Sequence, residues 1–312
     1  MPEVSQVHIH AALTNVSLAY RNPAFIADIV APPVAVRKQQ DNYFVYDAAR
    51  EAFRSSNDRR APGAQANEVD FALSSDTYYC EDHALVSVVP DEERANADPA
   101  IQPDIDRVEF LSDKIDLNKE IELAGAIATD ASLPGDTLSG EDQWSHAESD
   151  PLLAIEAGKA AVIAACQIVP NTLVLPYDVY AQVRTHAGIL ASLQHTARGI
   201  PTADILAGLF DIERVLVPRA VKNAALPGNA PDMQYVWGRH AFLCYVPPRP
   251  GLKTVSFANT FVWTSAPGAL CGKLVETWRD HTRKGDVIRV QRYYDQKVIA
   301  PDAVYVWKNA VA

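Results

Sequence analysis

The strongest hydrophobic pattern in the chain is a helical repeat that starts at Asp98. Apolar side chains recur there mostly at three- and four-residue steps, at Ile101, Ile105, Val108, Leu111, Ile115, Ile121, Ala124 and Ile127. This spacing predicts one long amphipathic helix over residues 98–128, and the proline and glycine in the run at 129–135 predict its end. A helix of that length with a single apolar stripe is a spine on which a sheet can lie.

The residues before this helix predict an extended arm followed by short strands. Residues 1–38 show little periodicity and contain four prolines, which favours an extended arm with a short helical piece near residues 23–29. Segments rich in β-branched and aromatic residues then predict a first strand and three partners for it, at 42–46, 69–73, 77–80 and 83–89.

A polar stretch, residues 51–69, separates two of these strands. Its nineteen residues include one aromatic residue, Phe53, whereas connections in compact domains have a median length of roughly 4–6 residues. The stretch has too few apolar side chains to hold it against a core of its own. We therefore expect it to form the end of a long hairpin that needs support from outside.

The residues after the long helix predict helices mixed with late strands. Helical signals cover 151–166, 176–183 and 201–210, the first of them opened by Pro151. Strand signals lie at 172–175, 213–221, 234–246, 254–264, 286–298 and 303–307. Strands and helices do not alternate regularly, so the order favours an α+β fold over a doubly wound parallel sheet.

Composition predicts a folded and soluble protein. Of the 312 residues, 48% are hydrophobic, which is ample for a core, and no apolar run approaches the roughly 18 residues of a membrane helix. Cys80, Cys166, Cys244 and Cys271 stand alone in apolar surroundings, which favours reduced thiols and an intracellular origin. The net charge of −11 argues against a nucleic-acid-binding surface over the whole molecule.

Motifs for catalysis or ligand binding are weak. Residues 268–274 resemble a phosphate-binding loop, but the loop is one residue short and Leu274 stands where a magnesium-binding Ser or Thr belongs, so a simple turn is favoured. His8 and His10 lack a fixed third ligand, and we expect them to be surface histidines. The sequence therefore predicts a protein that is not an enzyme, with no catalytic residue, metal or cofactor.

Four stretches, in this order, resemble the major capsid proteins of tailed bacteriophages, which have the Hong Kong 97-like fold. They read WSHAESDPL at 144–152, NTLVLPYDVY at 171–180, DIERVLVPRAVKN at 211–223 and YVWGRHAFLCYVP at 235–247. The resemblance covers nearly the whole chain and includes the order of arm, two-stranded excursion, long helix and mixed α+β region. It implies a structural head protein that self-assembles into an icosahedral shell around double-stranded DNA. The alternatives are an encapsulin-type compartment shell and a soluble α+β enzyme.

The resemblance also implies a division into domains. It places an N-terminal arm at 1–38, an excursion called the E-loop at 39–82, and an A-domain at 145–272. A P-domain would be formed by residues 83–144, with the spine helix at 98–128, together with the sheet returning at 273–312.

In such a shell the tip of the E-loop would lie over the P-domain of a neighbouring subunit. The tip residues would be Arg50, Phe53, Arg54, Arg59, Arg60 and Glu68. Residues 273–312 hold eight Lys or Arg against five Asp or Glu, and the P-domain contact residues would be Arg279, Arg283, Lys284, Arg289 and Arg292. A loop rich in glycine and proline is the candidate for a symmetry axis, with Asn223, Pro227, Gly228 and Asn229.

Two features bear on partners. Some relatives link an E-loop lysine covalently to an asparagine of another subunit, but no lysine occurs here from 39 to 113, so we predict a non-covalent shell. The N-terminus lacks a long helical prosegment, so we expect a separate scaffolding protein, together with a portal and a decoration protein. The expected location is the virion after synthesis in the host bacterial cytoplasm, without a membrane and without sequence-specific DNA binding.

Overall fold

A computed structural model describes residues 8–9, 25–45, 58–60, 62–63, 65–68, 74–97, 102–193, 200–252, 254–268 and 272–312. The helices among them are α1 (Ala27–Val30), α2 (Asp91–Asn96), α3 (Pro103–Thr129), α4 (Pro151–Cys166), α5 (Tyr177–Val183), α6 (Ala187–Leu193) and α7 (Ala203–Leu209).

The strands begin with β1 (His8–Ile9), β2 (Pro33–Val36), β3 (Gln40–Val45), β4 (Ser74–Tyr79), β5 (Glu81–Pro90), β6 (Gly135–Thr137), β7 (Thr172–Val174) and β8 (Arg214–Leu216). They continue with β9 (Val221–Asn223), β10 (Met233–Tyr235), β11 (Ala241–Cys244), β12 (Ala258–Trp263), β13 (Lys273–Asp280), β14 (Gly285–Val298) and β15 (Val304–Lys308).

The first large sheet has six strands, in the order β1-β13-β14-β12-β2, with β5 also paired to β14. Its centre is β14, which pairs antiparallel with β5, β12 and β13. The apolar face of α3 packs on this sheet, where Val108, Leu111 and Ile115 share a buried cluster with Ile288 and Val290 of β14. The spine helix is therefore held by hydrophobic burial along its first half.

The second large sheet has five strands, in the order β6-β15-β11-β7-β8. β7 and β11 are buried along their whole length, as expected for short runs of apolar residues inside a core. Residues of α4 to α7 pack with this sheet in one cluster, which includes Trp144 and Trp307 with ring centroids 5.4 Å apart. No helix in the described part of the chain is long and apolar enough to cross a membrane.

The predicted spine helix and the α+β class are confirmed. The helix α3 begins at Pro103, not at Asp98, because proline suits the first helical turn, where its missing N–H leaves no hydrogen bond unmade. Residues 98–101 lie outside the described residues.

Strand pairing near the excursion differs from the prediction. We expected 83–89 to pair with 42–46, but β3 pairs with β4, and β5 pairs with β14 along ten residues. The sequence could not reveal this pairing, because β5 and β14 are far apart in the chain and share only a general preference for strand. The predicted strand 69–73 lies outside the described residues.

The N-terminal and C-terminal segments also pack differently from the prediction. Residues 25–38 were expected to form part of an extended arm with a short helical piece near residues 23–29. The helix α1 agrees in part with that piece, but its Ala27 and Val30 are buried in the main core and β2 pairs parallel with β12. Residues 273–312 divide between the two sheets, since the turn Pro301–Ala303 separates β14 from β15. The strand β12, predicted in the A-domain, lies in the same sheet as β14.

Candidate inter-subunit surfaces

Glu120, in the middle of α3, joins three separate parts of the chain. Its side chain is fully buried. The carboxylate accepts hydrogen bonds from the backbone N–H of Ile26 at 3.0 Å, from the N–H of Ala27 at 2.7 Å and from the indole N–H of Trp237 at 2.6 Å. Burial raises the pKa of Glu120 above its ordinary value, although these three donors favour the charged form.

A second polar contact lies between α3 and β14. Arg292 is only 5% exposed and forms an ion pair with Asp116 of the helix. Burial lowers the pKa of Arg292 to about 10, so the side chain stays charged at neutral pH. Nearby, the Tyr294 hydroxyl donates to Glu122 at 3.4 Å, and the Tyr294 ring stacks on His83 at 4.0 Å. The charged groups at this contact therefore stabilise packing within the subunit.

This burial counts against a contact at Arg292, which stays a prediction. We expected Arg292 to contact a neighbouring subunit, but α3 covers the face of β14 on which it lies, and its partner belongs to the same chain. A neighbouring subunit could reach it only by displacing the spine helix.

Two more of the predicted P-domain residues have partners within the chain. Arg279 forms ion pairs with Asp91 and Asp286. Arg289 donates to Glu276 on the adjacent strand at 2.7 Å, and its guanidinium lies 5.3 Å from the centre of the Trp278 ring. These pairs neutralise much of the positive charge that the sequence suggested for this region.

Arg283 and Lys284 remain exposed, in the turn that connects β13 to β14. Arg283 lies 3.5 Å from Asp280, yet 63% of its side chain is exposed. Lys284 has a left-handed backbone with φ of 47°, and its carbonyl accepts a hydrogen bond from the N–H of Asp91. As contact residues for another subunit, Arg279, Arg283, Lys284 and Arg289 remain predictions.

The excursion is anchored at its base and exposed beyond it. Tyr43 of β3 and Tyr78 of β4 are buried against Phe261, with ring centroids 5.2 and 4.6 Å apart. The described residues between the two strands, at 58–60, 62–63 and 65–68, are all exposed, and they include Arg59, Arg60 and Glu68. The predicted tip residues Arg50, Phe53 and Arg54 lie outside the described residues.

The predicted symmetry-axis loop connects β9 to β10. Asn223, Pro227, Gly228 and Asn229 are all exposed. The Asn223 side-chain oxygen accepts hydrogen bonds from the backbone N–H of Ala225 and of Asp232, both at 3.0 Å, and so closes the loop. Gly228 has φ of +94°, a left-handed conformation that favours glycine.

Sequence reasoning missed Glu120, Asp116 and Trp237. The available signal was an acidic residue on the apolar stripe of a helix, since a charge placed among buried positions needs a partner. The turn reading of 268–274 is favoured further, because β13 begins at Lys273 where a phosphate loop would open a helix. Residues 269–271 lie outside the described residues. Among the described residues no group of three or more metal-ligating side chains is present.

Comparison with known proteins identifies the family. No protein-family model matches the chain. The major capsid protein of Pseudomonas phage JBD67 is 31% identical over 309 residues, which cover 97% of each chain. The protein belongs to the phage major capsid protein family. A second relative, the major capsid protein of Burkholderia phage BcepMu, is 25% identical over 303 residues, or 96% of this capsid protein and 95% of that one.

Solved structures share the fold of this chain. A phage-related protein from Bordetella bronchiseptica RB50 matches with a TM-score of 0.77 at 23% identity, covering 97% of both chains. The capsid structure of cyanophage P-SCSP1u matches with a TM-score of 0.59 at 11% identity, covering 93% of this capsid protein and 89% of that chain. The capsid protein has the Hong Kong 97-like fold, as the sequence predicted.

Proposed function

We propose that the capsid protein assembles with copies of itself into a closed icosahedral shell that encloses double-stranded DNA, and that its role is structural throughout. The observation that carries the proposal is 31% identity to a major capsid protein over nearly the full length of both chains. The net charge of −11 suits a wall that must release the duplex, because a basic wall would bind phosphates tightly. In this proposal a separate scaffolding protein and a portal complete the particle, a decoration protein is left open, and the particle is made in the bacterial cytoplasm.

Within this shell the E-loop, residues 39–82, supplies a contact to the P-domain of a neighbouring subunit. In support, the described residues within 58–68 are exposed. The base of the E-loop, formed by the paired strands β3 and β4, packs on the core through Tyr43 and Tyr78. A polar segment held at its base and exposed at its end is suited to lie on another copy. The spine helix α3 and the strands β13 and β14 lie in the P-domain in this proposal, and the strands β7, β8 and β11 of the second sheet lie in the A-domain.

Electron microscopy of the expressed capsid protein tests the assembly. We expect shells, tubes or rings of subunits, and small discrete oligomers alone would contradict the proposal. Boiled particles should give a single band in denaturing gels, because residues 39–113 contain no lysine for a covalent link from the E-loop. Ladders of linked subunits would show that the shell is covalent.

A further inference from the structure

The hairpin formed by β9 and β10 belongs to neither large sheet. Its register places Val221 opposite Tyr235, and Lys222 opposite Gln234. Side chains alternate between the two faces of a strand. Val221, Asn223, Met233 and Tyr235 therefore lie on one face, while Lys222 and Gln234 lie on the other.

Apart from Asn223, whose side-chain oxygen accepts hydrogen bonds from its own loop, the first of these faces is apolar, and it is open to solvent at Val221 and Met233. Val221 is 41% exposed and Met233 is 60% exposed. The ring of Tyr235 lies 5.7 Å from the ring of Tyr177, which is itself 39% exposed at the start of α5. We call the surface formed by Val221, Met233, Tyr235 and Tyr177 the apolar strip. The Arg219 guanidinium lies beside it, 6.0 Å from the centre of the Tyr177 ring. Leu226, in the connecting loop, adds a side chain that is 74% exposed.

An exposed strip of this kind calls for a partner. Contiguous exposed apolar surface is typical of protein–protein contacts, and a two-stranded hairpin alone is marginally stable in water. In a shell protein, the surface that surrounds each copy is another copy of the same chain.

The charge distribution fits this partner. Residues 221–235 contain one lysine and one aspartate, so the hairpin is neutral in a chain whose net charge is −11. Copies that meet at a neutral hairpin avoid the repulsion that their acidic surfaces would otherwise produce. We propose that the apolar strip packs against a neighbouring copy of this chain in the assembled shell. The inference rests on the proposed function, since it needs an assembly in which copies meet.

This assignment differs from the sequence prediction, which placed the contact on Asn223 and the turn residues Pro227, Gly228 and Asn229. Asn223 closes the loop with its side chain, whereas the exposed apolar area is concentrated on the strands and on Tyr177. The strands therefore provide the contact, and the turn shapes the hairpin.

Charge substitutions on the two faces of β10 test the inference. Met233→Glu puts a charge on the strip, and Gln234→Glu puts the same charge on the opposite face as a matched control. Both positions are exposed, so the folded subunit should keep its unfolding midpoint. We expect Met233→Glu to lower the yield of assembled particles roughly tenfold or more, since each contact would have to desolvate an unpaired charge. Gln234→Glu should assemble like the wild type.

A labelling experiment measures the contact directly. Met233→Cys and Gln234→Cys are each made with Cys271→Ser, because Cys80, Cys166 and Cys244 are buried. In assembled particles, a maleimide should label Cys at 233 at least roughly tenfold more slowly than in free subunits, and Cys at 234 should change less.

The results separate the two proposals. If the wild type forms shells, but Met233→Glu assembles normally and the cysteine at 233 stays reactive, the apolar strip is not a contact and the proposed function stands. If the wild type forms no assembly under any condition, the proposed function fails and this inference fails with it.

Discussion

The contact between α3 and β14 and the excursion beyond β3 and β4 use charged residues in opposite ways. At α3, Glu120 and Arg292 are buried, and each has its partners within the same chain. In the excursion, Arg60 and Glu68 are exposed, although the base of the same ribbon is buried. The first region completes its polar interactions during folding. The second keeps its charged side chains at the surface, which suits the proposed contact with another copy.

This comparison shows that the sign of a charge does not reveal its role. The predicted contact set contained basic residues of both kinds, since Arg292 is enclosed by the subunit and Arg283 is 63% exposed. What separates them is their position, because α3 covers the face of β14 that carries Arg292, whereas Arg283 lies in the turn between β13 and β14. Changes in the first region should therefore alter stability, and changes in the second should alter assembly.

The largest effect is expected from shortening the excursion. Val45 pairs with Ser74 as the last pair of the ribbon, so an Asn-Gly turn can replace residues 46–73 and close a two-residue hairpin. We expect the shortened chain to fold, because β3 and β4 keep their contacts to Phe261, and to lose shell assembly completely. Electron microscopy and sedimentation measure the assembly, and thermal unfolding measures the fold.

The control for this variant keeps the length of the excursion. Arg59→Lys with Arg60→Lys preserves both charges and should assemble. Normal shells from the shortened chain would mean that the excursion is dispensable for assembly. The proposed difference in role between the excursion and the contact of α3 with β14 would then be wrong.

A smaller effect, on stability, is expected from Arg292→Ala. Removing one member of a buried ion pair typically costs about 3–5 kcal/mol, because the remaining charge on Asp116 is left in a poorly solvated place. Chemical denaturation measures the loss. Arg283→Ala, in the exposed turn, is the matched control and should cost about 0–1 kcal/mol. Replacing the pair together, as Arg292→Met with Asp116→Leu, should restore much of the stability. An equal effect of the two alanine substitutions would show that Arg292 is more exposed than the fold implies.

The sequence predicted local features well and distant ones poorly. The spine helix was predictable, since its apolar repeat is contained in consecutive residues. The hairpin of β3 with its near neighbour β4 was predictable in part, for the same reason. The pairing of β5 with β14 was not predictable, because a preference for strand does not specify which other strand it pairs with.

The candidate contact surfaces illustrate the same limit. Arg292 and Arg283 lie in one basic region of the sequence, and the burial of Arg292 depends on the position of α3 over the sheet. Exposure of the described residues within 58–68 was predictable from polarity alone, whereas the apolar strip was not, because Tyr177 and Tyr235 come together only through the fold.

The smallest effect is expected from Glu120→Gln, and it should depend on pH. The amide keeps one acceptor but faces the N–H of Ala27 with its own donor, so we expect a loss of about 1.5–3 kcal/mol in the free energy of unfolding at neutral pH.

Burial raises the pKa of Glu120 above 4.5 in the folded chain. Between that ordinary value and the raised one, the folded chain holds a proton that the unfolded chain releases. The contribution of Glu120 to stability is then greatest below pH 4.5 and falls as pH rises through the raised pKa. Chemical denaturation from acid to neutral pH measures the free energy of unfolding of the wild type and of Glu120→Gln. The difference between these two free energies should narrow as pH rises. A difference that stays constant, or that widens with rising pH, would mean that the hydrogen bonds from Ile26, Ala27 and Trp237 outweigh burial.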